Sequence, residues 1–197
     1  MNSDSRRARA RGASLIEVLV AVFVLAIGML GSAALQMTAK RANLDARQRV
    51  TAATLAQDIV ERMRANADEL STYTAAGAGL TLTGADTVAV DCSAGCVAAQ
   101  IAGLDLFEWE SALVGVAEQN AGANVGGLNS PTACITGPAG GSGVYTVAIA
   151  WRGPTALSDP AANACGQGSG RYDSNDGASA DVHRRLLVIT TYIGVPA

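Results

Sequence analysis

The chain has 197 residues, 49% of them apolar, 4% aromatic and 16% charged, and 39 are alanine, so bulky core material is scarcer than the apolar fraction implies. That fraction excludes a disordered chain. A net charge of −3 with a pI near 5.1 lacks the basic face of a general nucleic-acid binder, and a single His excludes any site built on two imidazoles.

Charge is unevenly placed. Residues 1–12 carry Arg6, Arg7, Arg9 and Arg11 against Asp4, a net +3 that leaves −6 on the remainder. A basic stub ahead of an acidic body reads as a targeting segment rather than part of the folded protein. From Ala13 to Leu35 run 23 residues in which Glu17 is the only ionisable side chain. As an α-helix this stretch spans about 34 Å, enough to cross a bilayer core. The Arg cluster places its N-terminal end in the cytoplasm, so that everything after it is translocated. An ordinary cleaved signal peptide fits less well, because its apolar region is shorter and ends in a small-residue cleavage site. A plain signal anchor is the alternative. A carboxylate inside such a span costs about 2.5–3.5 kcal/mol and marks a functional position, unless it lies close enough to the interface to snorkel.

The run Arg11-Gly12-Ala13-Ser14-Leu15-Ile16-Glu17-Val18-Leu19-Val20 resembles the class III signal of type IV pilins and pseudopilins. Four features coincide: a basic leader, a Gly, a five-residue spacing to Glu, and an uncharged span beyond it. The resemblance implies that prepilin peptidase cuts after Gly12 and methylates the new N-terminus at Ala13. It makes Glu17 the fifth mature residue. Physical logic points the same way. The amine of Ala13 and the carboxylate of Glu17 are each costly in an apolar setting, and pairing one subunit's amine with a neighbour's Glu17 offsets desolvation and sets register.

Beyond Leu35 the sequence turns polar but contains neither Pro nor Gly from Gln36 to Leu70. Leu55, Ile59 and Met63 recur at four-residue spacing, with Leu44, Ala52 and Leu70 near the same stripe, which predicts an amphipathic helix docked on a core. Asp58 with Arg62 and Glu61 with Arg64 are spaced to pair along its solvent side. Gly28 and Gly31 mark either points of low helix stability or small-residue packing within the membrane.

The runs Ser14–Ala21, Ala26–Gly31, Ala34–Gln36 and Glu61–Asn66 resemble the type IV pilus minor pilin family PilV (type IV pilus modification protein) over about the first 70 residues. The likeness is looser in Asp105–Trp109 and Tyr145–Trp151. It implies a structural, non-enzymatic subunit of a minor-pilin complex that primes pilus assembly and takes a place at the pilus tip. Its implied partners are other minor pilins, the major pilin, prepilin peptidase, the inner-membrane assembly platform and the membrane itself, with no nucleic acid. The implied location is the inner membrane, single-pass, with the globular part in the periplasm and then at the cell surface in the pilus. A minor pseudopilin of a type II secretion system is the nearest rival. A signal-anchored periplasmic enzyme or binding domain is a rival of another class, for which no convergent acid, base and nucleophile are visible.

From Ser71 the composition shifts to Gly, Ala, Thr and Ser, as loops and short strands require. Residues 98–118 predict a short helix with Ile101, Leu104, Trp109 and Leu113 on its apolar face. Strands are predicted at Thr132–Thr136, Gly143–Trp151 and Arg184–Ile193, with alternation in Tyr145, Val147, Ile149 and Trp151. The expected fold is therefore α+β: a cleaved leader 1–12, a transmembrane half-helix 13–35, an amphipathic half-helix 36–70, and a globular domain 71–197 with about three antiparallel strands. Trp109 and Trp151 read as core.

Four cysteines behind a translocating signal indicate disulfides in an oxidising compartment. Three pairings are possible; the expected one joins Cys92 to Cys96 in a tight loop and Cys134 to Cys165 between a strand and the Gly-rich loop 161–170. With no paired CxxC knuckles and one His, no metal or cofactor is expected. The run Asp173–Gly177 with Asp181 loosely resembles a calcium loop but has its glycine one residue early and lacks the final Glu, so a solvated turn is expected. His183 reads as a strand-edge residue.

Overall fold

The computed structural model describes residues 14–195; the expected leader, with Gly12 and Ala13, lies outside them. The chain divides into two compact units, residues 1–42 and 43–197. Helix α1 (Leu15–Ala65) begins in the first and ends in the second. The first unit, where described, is helix alone. Its N-terminal turn is closed by the Ser14 carbonyl, which accepts N–H bonds from Glu17 and Val18.

In the second unit α1 ends at Ala65, five residues short of the expected bound at Leu70. A 3₁₀ turn (Ala67–Glu69) and one helical turn, α2 (Leu70–Tyr73), follow. The remaining elements are β1 (Leu80–Leu82), α3 (Ala98–Val114), a small hairpin of β2 (Gln119–Asn120) and β3 (Ala123–Asn124), then β4 (Thr132–Thr136), β5 (Gly143–Arg152) and β6 (Arg184–Ile193). β1, β4, β5 and β6 form one antiparallel sheet in that order. The architecture is α+β, a long N-terminal helix packed on an antiparallel sheet. That sheet has one strand more than expected, because short β1 adds to the free edge of β4, and the β2–β3 hairpin forms a separate two-stranded sheet. Helix α3 stops at Val114 rather than 118. Gly115 takes a left-handed cap (φ 70°) whose N–H returns to the carbonyl of Ala112, and a Cβ there would lie 2.0 Å from the Gly127 nitrogen.

The core follows the four-residue stripe of α1. Ala52, Ala56, Ile59 and Met63 are fully buried, with Leu70 and Tyr73, against Trp109 and Leu113 of α3 and Tyr145, Val147, Ile149 and Trp151 of β5. Alanines at two of those positions let the partner elements approach closely. Leu44, by contrast, is exposed. Trp109 Nε1 donates to the Leu55 carbonyl at 2.8 Å, so the indole is satisfied while its rings fill the core. β5 runs between two strands, and over Val147–Trp151 it is buried on both faces. Alternation is therefore only half of its pattern.

Its second face is covered by the long β5–β6 connection. Tyr172, fully buried, donates its hydroxyl to Thr132 Oγ1 at 2.7 Å, and Cys165 is bonded to Cys134 of β4. Gly166 (φ 73°) sits where a Cβ would meet the Tyr172 ring at 2.7 Å. Arg184, 1% exposed, ties this connection to β6: Nε reaches Asp159 Oδ1 at 2.6 Å, Nη1 the carbonyls of Asn163 and Cys165, and Nη2 that of Pro160.

Candidate functional site

The site lies on the described part of the first unit. From Leu15 to Met37 every large apolar side chain is exposed, Leu15 at 78% and Leu35 at 74%. Among the described residues α1 is the helix long and apolar enough to cross a membrane. No residue of that stretch packs into a core, so its apolar surface needs a non-aqueous environment from outside the chain. The hydroxyl within it is already satisfied, Ser32 donating to the Met29 carbonyl, and Thr38 just beyond it donates to that of Ala34. Such bonds suit a helix in lipid. Nothing lies within 4 Å of a Cβ built on Gly28 or Gly31, so no intrachain contact calls for either glycine.

Glu17 sits in the first turn of α1, exposed, with its backbone N–H held by Ser14 at 3.0 Å. A carboxylate at a helix N-terminus complements the macrodipole. Its side chain makes no salt bridge among the described residues, which leaves the carboxylate available to a group on another chain. Lys40, Arg41, Arg47 and Arg49 follow the apolar stretch and mark where the helix turns polar.

The second unit carries charge clusters that fix its elements. Arg62 bonds Asp58 at 3.0 Å, as the four-residue spacing indicates, but its Nη1 also reaches Asp105 at 2.9 Å and Glu108 at 2.7 Å. Far from decorating a solvent side, this guanidinium pins α3 to α1. The Tyr73 hydroxyl donates to Asp105, and burial, reinforced by that bond, pushes the phenol well above its ordinary value. Arg64 pairs with Glu61 and reaches Thr191 of β6. Glu110 is 3% exposed, and its carboxylate accepts the backbone N–H groups of Gly84, Asp86 and Thr87, clamping the loop after β1. Asp105, Glu108 and Glu110 have no local sequence signal, since their partners are 23 to 46 residues away.

Cys92 is bonded to Cys96 and Cys134 to Cys165, with Cα separations of 5.1 and 5.9 Å, and no described cysteine is free. Trp109 and Trp151 are fully buried. His183 Nδ1 lies 3.2 Å from the Gly153 carbonyl, and its backbone N–H bonds Tyr172. These features hold the unit together; they do not converge on a reacting centre.

Residues 7–33 match the family model described as the prokaryotic N-terminal methylation motif, and residues 34–107 match that of type IV pilin Tt1218. No curated protein and no solved structure matches the chain.

Proposed function

Starting from a chain that is a type IV pilin carrying the prepilin methylation motif, we propose that it is a minor pilin of the PilV kind, a structural subunit of a complex that primes pilus assembly and occupies the pilus tip. One observation carries the reading: a 23-residue apolar stretch, exposed where described, that holds a single carboxylate, Glu17, with no salt-bridge partner for it among the described residues. Membrane anchoring follows from that helix. The finer organisation is a leader 1–12 removed by prepilin peptidase between Gly12 and Ala13, an N-methylated Ala13, a membrane half-helix 13–35, an amphipathic half 36–70 and a periplasmic domain 71–197. The subunit waits in the inner membrane and then enters the fibre through the assembly platform, beside other minor pilins and the major pilin.

Glu17 supplies the assembly charge. A protonated Ala13 amine entering an apolar groove pairs with a neighbour's Glu17, and each charge offsets the desolvation of the other. Two measurements test the reading. Intact mass and N-terminal sequencing of membrane-extracted protein should give a chain that begins at N-methyl-Ala13; a start at Met1 or beyond residue 35 contradicts it. Affinity purification from detergent-solubilised membranes should bring down other pilins, whereas secretion-system pseudopilins in their place would reassign the subunit.

A further inference from the structure

The connection between β5 and β6 holds a carboxylate that the protein leaves unsatisfied. Asp181 is 4% exposed. Its Oδ2 accepts the Gly168 N–H at 2.8 Å and its backbone N–H bonds Asp173 Oδ1 at 2.9 Å, but its Oδ1 is buried with no hydrogen-bond partner among the described residues. A buried acceptor left unmade carries its full desolvation cost, larger for a charged group. The backbone adds a second cost, since Asp181 is held at φ +54°, a left-handed conformation that side-chain-bearing residues adopt sparingly.

The surrounding cations do not answer this charge. Arg152 gives its protons to the carbonyls of Arg171 and Asp173 and to Asn175 Oδ1. Arg171 caps the carbonyls of Thr83 and Pro131 through Nη2 while its buried Nε makes no hydrogen bond among the described residues, and Arg184 is committed to Asp159 and three carbonyls. The His183 ring faces Gly153. Among the described residues neither Asp173 nor Asp181 enters a salt bridge. Asp173 lies beside Asp181, and its Oδ2 faces Gly170, where a Cβ would be 3.9 Å away. Both carboxylates thus lie against the Gly166–Gly170 turn. Asp176 takes no part: its Oδ1 is used by Ser174 and Ala178 within the neighbouring turn.

We propose that Asp173, Asp181 and the Gly166–Gly170 turn form a calcium site, completed by backbone oxygens and water. An all-oxygen donor set with one buried, unpartnered anionic oxygen suits a hard cation. Calcium accepts six to eight oxygens in flexible geometry, whereas magnesium demands a near-ideal octahedron. No third His, Cys, Asp or Glu joins the two carboxylates among the described residues, which places the affinity in the weak range of about 10⁻⁴–10⁻³ M found in extracellular modules. The bound ion braces the connection that covers the second face of β5.

The test uses the full chain in detergent, with thermal unfolding followed in EDTA, in about 5 mM calcium chloride and in equal magnesium chloride. Asp181→Asn and Asp173→Asn are the variants, because Asn keeps the shape, tolerates a left-handed φ and still accepts the existing hydrogen bonds. For the unaltered chain calcium should raise Tm by about 3–5 °C, with a much smaller rise in magnesium. The increment should vanish in both variants, and Asp181→Asn in EDTA should be at least as stable as the unaltered chain. Absence of a calcium increment, an equal increment in magnesium, or one that survives Asp181→Asn overturns the proposal.

Discussion

Residues 14–42 and residues 43–195 share one continuous helix, yet their apolar side chains do opposite things. In the first unit Leu15, Phe23 and Leu35 stand exposed; in the second Ile59, Met63 and Trp109 are fully buried, and charges such as Arg62 and Arg184 close around the core with matched partners. One unit is complete in itself. The other is incomplete without lipid or further chains, and its single carboxylate has no salt-bridge partner among the described residues. Stability and assembly should therefore be separable by mutation, and each prediction below is a way to break that separation.

The largest expected effect is in the core. Trp109→Ala removes the biggest buried side chain of α3 together with its hydrogen bond to the Leu55 carbonyl, and should cost about 3–5 kcal/mol in denaturant unfolding while membrane insertion stays normal. A variant with unchanged unfolding would show that α3 is not part of a common core. Next comes the cross-link between β4 and the covering connection. Replacing Cys134 and Cys165 by Ser together should cost about 3–4 kcal/mol in the chain-entropy model, for a separation of 31 residues. Non-reducing peptide mapping should recover the Cys134–Cys165 and Cys92–Cys96 peptides, and a Cys96–Cys134 peptide would contradict the structure.

The smallest effect is a pH dependence. The Arg184 hydrogen bond, opposed weakly by burial, holds the Asp159 carboxyl below its ordinary value of 3.8. A depressed folded-state pKa contributes stability that is full above the unfolded value and is lost as pH falls through the folded one. Stability should thus fall on acidification below about pH 4. Asp159→Asn should lower stability at neutral pH and flatten that acid slope. An unaltered slope would mean that other carboxylates set it.

Much of this division was legible in the residues themselves. The strands Thr132–Thr136 and Arg184–Ile193 emerge at the expected bounds because their β-branched runs are stopped locally, the first between Pro131 and Gly137 and the second at Gly194. The apolar stripe of α1 is equally local. Strand β1 was not legible: Leu80, Thr81 and Leu82 form a strand only because β4 offers an edge, so tertiary pairing rather than propensity decides it. Arg62 illustrates the same limit. Its bond to Asp58 is visible at four residues, whereas Asp105 and Glu108 lie 43 and 46 residues on. Nothing local in the sequence signals that Arg184 and Arg185, at the start of β6, are buried on folding. In the first unit Glu17 stood out by being the one charge in an apolar run, a signal that needs no fold to be seen.

The central claim is that the exposed half-helix is an assembly surface whose working charge is Glu17. Glu17→Ala should still insert, because loss of an intramembrane charge favours insertion. It should unfold like the unaltered chain, since no described side chain depends on it. What should disappear is recovery of partner pilins: an incoming amine left unpaired in an apolar groove costs about 3–5 kcal/mol, or about two to nearly four decades in affinity. Cell fractionation combined with pull-down of partner pilins measures this directly. The account predicts normal membrane yield with partner recovery lowered by about a hundredfold or more; normal recovery of partners by Glu17→Ala would contradict it.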